Sequence, residues 1–313
     1  MKPKIWIAYL LARVLPGIVC LAAGGCIRES LPPCPSLSIT LTVKDKNYFN
    51  IDDAAKLGLM ERLEDTLPFR SYVHSLYYIL HDARGRVVAE QPNIRIANDD
   101  PTQHIDLPDD LPYGKYTLTV WGNMDNETAL GENATQAGME SAGTAANDIY
   151  LASATFDYRY GNETHTLGLE RTKGSLLIKA EGLPDNIDFS TKNIDGVYGL
   201  VDNAFSYSEP TNVQTALDWT VQNDIQTQTL MCPSESFEGS RLSIVFFDKS
   251  QMDGGSRSTL YPSLSPQDIN ITMGRNEITI LRYVYREEEN GAGFDIYLRV
   301  NGNWELLHEM EID

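Results

Sequence analysis

The strongest constraint on the fold is a period of two that appears, fades and then restarts. Leu37, Ile39, Leu41 and Val43 alternate with Ser38, Thr40 and Thr42. Successive side chains of a strand point to opposite faces, so this pattern buries one face and wets the other. Tyr116, Leu118 and Val120 repeat it against Thr117 and Thr119. Around Glu170 the pattern begins again: Arg171-Thr172-Lys173-Gly174-Ser175 leads into Leu176, Ile178 and Ala180. A second opening strand of this kind predicts a second domain. The expected chain is all-β, with two β-sandwiches in tandem, residues 37–168 and 169–313.

Punctuation between the strands supports this. Residues 72–80 and 86–89 flank Asp82-Ala83-Arg84-Gly85 and read as a hairpin. Residues 149–158 and 164–169 return to strand. In the second half the strand candidates are residues 197–201, 225–231, 241–247, 269–272, 277–285, 294–300 and 304–307. Asn301-Gly302 is a type I′ turn signal, and Glu287-Glu288-Glu289-Asn290-Gly291 marks another turn. One amphipathic helix is expected within residues 52–67, with Leu57, Met60, Leu63 and Leu67 on one face and Gly58 weakening it. Residues 122–147 are polar, small and glycine-rich, and read as a long surface loop.

The amino-terminal end carries a different kind of signal. Met1-Lys2-Pro3-Lys4 is basic, and an apolar stretch runs from Ile5 to Ala23, broken by Arg13. Its uninterrupted part, residues 14–23, is shorter than the roughly 20 residues a spanning helix needs, and suits the core of a secretion signal. Small residues must precede the cut, and Gly24 and Gly25 supply them, placing Cys26 first in the mature chain. Cys20 fits less well, because Ile18 and Val19 are bulky. A cysteine at that position can be acylated. One acyl chain holds a membrane only reversibly, so stable anchoring takes two or more. Cys26 after such a cut resembles the lipobox of bacterial lipoproteins, and that resemblance implies that residues 1–25 are a lipoprotein signal peptide. Residues 26–36 are a tether that Pro32, Pro33 and Pro35 keep extended. An ordinary secretion signal with a chance cysteine is the alternative.

Charge and cysteine count narrow the partners. The chain of 313 residues has a formal net charge of −19, and loss of Lys2, Lys4 and Arg13 takes it to about −22. Phosphate backbones repel such a surface, so nucleic acid is not an expected partner. After cleavage and lipidation, Cys34 and Cys232 remain. In an oxidising compartment they can pair, or they can stay as separate buried thiols.

Catalytic signatures are missing from the sequence. There is no nucleophile elbow, zinc-protease helix, phosphate loop or dinucleotide fingerprint. His74, His81, His104, His165 and His308 show no metal-ligand spacing. Asp99-Asp100, Asp109-Asp110 and Glu287 to Glu289 read as solvated turns rather than a glycosidase pair, and Asp253-Gly254-Gly255-Ser256 reads as a flexible loop. No enzyme activity, cofactor or metal is expected. Trp121, Trp219 and Trp304 could form a sugar platform, but strand packing is the simpler role for Trp121 and Trp304.

Cys26 followed by Ile27-Arg28-Glu29-Ser30-Leu31-Pro32-Pro33-Cys34-Pro35 resembles the start of the FimB/Mfa2 family of Bacteroidales fimbrial anchor lipoproteins. The alternating strand at residues 37–43, the segment 111–123 ending in Trp121-Gly122-Asn123, and Arg171 before the second opening strand also resemble that family. The resemblance implies two transthyretin-like β-sandwich domains, no catalysis, and a place at the base of a type V pilus in the outer membrane. Such anchors hold the fimbrial polymer to the cell and limit its length. It also implies lipid attachment at Cys26. An edge strand of a sandwich is a template for a partner strand, so a fimbrial subunit is the expected partner, docking by adding or exchanging a strand. Residues 304–312 could take part in that exchange or simply complete the second sandwich. The alternative function is a glycan-binding surface lipoprotein, with an exposed row of Trp and Tyr.

Overall fold

The chain is built from two long-range parallel strand pairs, each wrapped by antiparallel neighbours. The computed structural model describes residues 36–307 apart from 125–134, 140–146, 221, 252–261 and 289–290. By its contacts the described chain forms one compact unit.

The first half opens with β1 (Ser38–Val43) and continues through β2 (Ser75–Asp82), β3 (Val87–Arg95), β4 (Gln103–Asp106) and β5 (Gly114–Gly122). After β6 (Gln136–Gly138) come β7 (Tyr150–Tyr158) and β8 (Thr164–Arg171). Seven of these form one path in the order β3-β2-β5-β7-β8-β1-β4. β1 lies parallel to β8, with Ser38 opposite Thr164 and Val43 opposite Leu169. β8 then reaches β7 only through its last two residues, Glu170 and Arg171. One strand therefore serves two walls, and the sheet folds round on itself. The core lies between those walls. Ile39 and Leu41 of β1 face Leu80, Leu118, Val120 and Tyr150 of the other wall, all fully buried. The alternation read in β1 is the observed burial pattern.

The second half has two separate sheets. β9 (Gly174–Glu181), β12 (Ile225–Met231), β16 (Ile278–Glu288), β17 (Gly291–Val300) and β18 (Asn303–Leu306) form one, in the order β12-β9-β16-β17-β18. β9 and β16 are its parallel pair. β10 (Phe189–Asp202), β11 (Tyr207–Asp218), β13 (Ser240–Phe247), β14 (Pro262–Leu264) and β15 (Ile269–Ile271) make the other, joined by β6. Side chains from both, including Leu176, Ile194, Leu242, Phe246 and Leu281, fill the space between them.

Several expectations need correction. The helix α1 spans only Ile51–Lys56. It stops where Gly58 takes φ +67, a left-handed conformation that caps helices at low cost. The segment read as a surface loop is not all surface. β6 pairs with Leu200, Val201 and Asp202 of β10, and Met124, Ala137 and Met139 are buried. β10 runs well upstream of the expected start, and β11 was not anticipated at all. The turn at Asn301-Gly302 has φ +48 and +79, as a type I′ turn requires.

Two features bind the halves together. Tyr77, Ile79, Trp121 and Leu151 from the outer face of β2, β5 and β7 pack with Val201 and Cys232. On the other side, α1 lays Ile51 and Ala54 on Leu177, Ile278 and Ile280 of the β9–β16 sheet. Asn50 fixes that contact. Its side-chain amide donates to the Ile278 carbonyl at 2.7 Å, and its Oδ1 accepts from the Ile278 N–H at 2.9 Å.

Candidate functional site

The second half leaves one side of its sandwich open. Among the described residues β11 pairs only with β10, and β12 only with β9, so no ladder joins these two edges. They face each other across a seam that exposes the core at two points. One opening, of about 120 Å³, is lined by Met139, Tyr198, Val213, Leu230 and Cys232 among others. The second is smaller, about 20 Å³, and is lined by Ile178, Lys192, Leu217, Thr227 and Phe246 among others. Val213 and Leu217 both pack toward the core, so β11 presents one inward apolar residue to each opening, beside Thr211 at the larger and Thr215 at the smaller.

Lys192 is the unusual residue of this seam. Ser190, Lys192 and Ile194 are the inward-facing residues of this part of β10. Lys192 is only 7% exposed, and its Nζ donates to Thr227 Oγ1 of β12 at 3.2 Å. Burial pulls its amine down from the ordinary 10.5 to about 8, because desolvation disfavours the charged form. The residues lining the opening include no carboxylate.

Where the halves meet, a buried cation has a carboxylate partner instead. Arg171, almost fully buried, donates from Nε to Asp148 Oδ2 at 2.7 Å and from its terminal nitrogens to Asn276 Oδ1 and the Tyr150 hydroxyl. Its guanidinium lies 4.1 Å from the Tyr48 ring centroid. Burial pulls its pKa down, but Asp148, Tyr150 and Tyr48 together outweigh that and the net shift is upward. The Trp121-Gly122-Asn123 motif also serves structure. Trp121 is fully buried. A Cβ on Gly122 would come within 2.8 Å of Val73. Asn123, at φ +61, donates to the Tyr72 and Asp148 carbonyls and accepts from the His74 N–H.

The sequence-predicted site residues fare differently. Cys26 and Cys34 lie outside the described residues, as do His308 and the loop at Asp253. Cys232 is 2% exposed, at the wall of the larger opening. The described part of the carboxyl-terminal segment forms β18 on the edge of the β9–β16 sheet, and the Leu307 N–H donates to Ile296 O. His104 and His165 make separate contacts: one bonds with Thr40, the other stacks on Phe156. Among the described residues, no three His, Cys, Asp or Glu side chains are grouped to hold a metal, and no helix is long and apolar enough to cross a membrane. Trp121 and Trp219 are buried and Trp304 is half-buried, so none of the three forms an exposed platform.

No family model matches the chain, and no curated protein matches it by sequence. Solved structures do. A candidate adhesin from Bacteroides thetaiotaomicron superposes with a TM-score of 0.56 at 12% identity, over 89% of this chain and 100% of that one. A candidate adhesin from Bacteroides ovatus gives 0.53 at 14% identity, over 91% and 98%. The fimbrial anchor protein Mfa2 from Porphyromonas gingivalis is also similar, at 0.48 and 13% identity over 87% and 99%. The β architecture is therefore shared with the two adhesin-class chains.

Proposed function

We propose that this chain is a lipid-anchored fimbrial subunit of the outer membrane that holds the polymer to the cell surface and limits its length. The observation that carries the reading is the open seam between β11 and β12. A strand edge with one free side is a template for a partner strand, and a side-chain-lined opening behind it gives that strand somewhere to bury its inward face. The shared fold with adhesin-class chains and the acylatable Cys26 support the same role. In this account the acyl chains on Cys26 hold the protein to lipid, the proline tether spaces it from the bilayer, and a fimbrial subunit enters the seam. Residues 37–168 and 169–313 act as two domains in this scheme. Cys34 and Cys232 either pair in it or stay as separate thiols, and a mass shift on reduction would reveal a bond.

Replacing Cys26 by Ala tests the anchoring. Protein and fimbriae should both appear in the medium, and the fimbriae remaining on cells should fall. Retention of both on the cell would contradict the reading. A glycan-binding role in its place predicts measurable polysaccharide affinity and fimbriae indifferent to this change.

A further inference from the structure

The seam contains a charge with nothing of opposite sign beside it. Lys192 points inward from β10, is more than nine-tenths buried, and is held by a single neutral hydroxyl, that of Thr227. The remaining lining of its opening is apolar or hydroxyl-bearing. Arg171, by contrast, is buried with a carboxylate partner, Asp148. The larger opening is a cavity of about 120 Å³ whose apolar wall is Met139, Val213, Leu230 and Met231, with Thr211, Asn212 and Gln214 of β11 also lining it, and its apolar wall suits an apolar side chain. Val213 faces the one and Leu217 the other, both from the same face of β11.

We infer that the occupant of the seam is an extended segment of another chain that places a bulky apolar side chain in the larger opening and, about four residues away, an aspartate or glutamate against Lys192. The spacing follows from the strand period, since only residues an even number apart share a face. The pairing follows from charge complementarity. An amine in low-dielectric surroundings gains far more from a carboxylate than from a hydroxyl, and a charge-assisted hydrogen bond is about twice as strong as a neutral one. The pair also selects partners, because an apolar residue at the same position would leave the amine buried without its counter-charge. Lys192 thereby becomes a specificity residue for the docking reaction. This inference rests on the fimbrial reading above. An inward-pointing charge near an edge can instead deter strand pairing, and that role predicts the opposite sign in the test.

The test uses the full-length protein and fimbriae purified from a strain lacking it. Wild type is compared with Lys192→Met, Lys192→Arg and Val213→Trp, the last filling the larger opening. Thermal unfolding of each protein confirms that it folds. Lys192→Met should weaken the apparent affinity for fimbriae about thirty-fold or more, the scale of a buried charge left unpaired. Lys192→Arg should restore most of it, and Val213→Trp should abolish binding. If Val213→Trp abolishes binding while Lys192→Met binds as well as wild type or better, the seam is the docking site and the carboxylate is refuted. If Val213→Trp binds normally, both the seam and the carboxylate are refuted, whatever Lys192→Met does.

Discussion

The two halves start alike and finish differently. Each opens with an alternating strand that lies parallel to a late partner, β1 with β8 and β9 with β16. In the first half β8 continues into β7, so a strand ladder links both walls. In the second half no ladder among the described residues links the two sheets; side chains hold them, with one backbone bridge between Val197 of β10 and Ser234 just after β12. The buried residues follow suit. Before Arg171 the buried polar side chains of the described residues are Ser75, Thr119 and Asn123, none of them charged. The second half buries Lys192 beside an open edge. A sandwich linked strand to strand can afford an apolar interior throughout. One left open on a side can receive a partner, and its interior then becomes part of an interface.

The largest effect that sharpens this contrast is at the contact between the halves. Trp121→Ala removes a fully buried side chain and should cost about 3–5 kcal/mol. Denaturant unfolding should then lose its single transition, the second half melting first. Arg171→Ala should cost about 3 kcal/mol, because Asp148 is left without its cation, whereas Arg171→Met with Asp148→Leu should recover most of that loss. A double-mutant cycle measures this directly.

Lys192→Met should go the other way and raise stability by about 1–3 kcal/mol, since a desolvated charge is replaced by an apolar chain. The pH dependence gives its sign independently. The unfolded amine keeps its proton up to about 10.5, but the folded one releases it near 8. The folded state is therefore penalised below pH 8, and that penalty fades as pH rises through 8 to 10. Lys173, also brought to about 8 by burial, adds to the same slope. Wild-type stability should thus rise across this window, and Lys192→Met should flatten the rise by about half without abolishing it. The smallest effect is at the type I′ turn, where Gly302→Ala at φ +79 should cost about 1 kcal/mol and leave docking untouched.

Part of this architecture is legible in the sequence because β1 buries only one face, every second residue, so apolar spacing alone reveals it. β9 is buried on both faces over its first five residues and shows as an apolar run, Leu176-Leu177-Ile178, ahead of Ala180. The turn at Asn301-Gly302 is equally local. The seam is illegible for the opposite reason. β11 is an edge with Thr211, Asn212, Gln214 and Thr215 among its residues, and only Val213 and Leu217 mark its inner face. The beginning of β10 is hidden by Lys192 itself, a charge at an inward position that breaks the apolar alternation. A strand pattern that fails where the chain is in fact a strand is expected at functional positions. β6 was missed because three residues paired to a distant strand leave no periodic signal. Trp121-Gly122-Asn123 and Arg171 are visible as motifs, but their partners across the halves, Val201, Cys232 and Asn276, lie far away in sequence.

Hydrogen exchange along β11 tests the central claim most directly. In the free protein the amides of residues 211–218 that face away from β10 should exchange rapidly, while those bonded to β10 are slow. With fimbriae bound, the outward amides should become protected along the length of the strand. Unchanged exchange of β11 in a complex that demonstrably carries fimbriae would contradict docking in the seam.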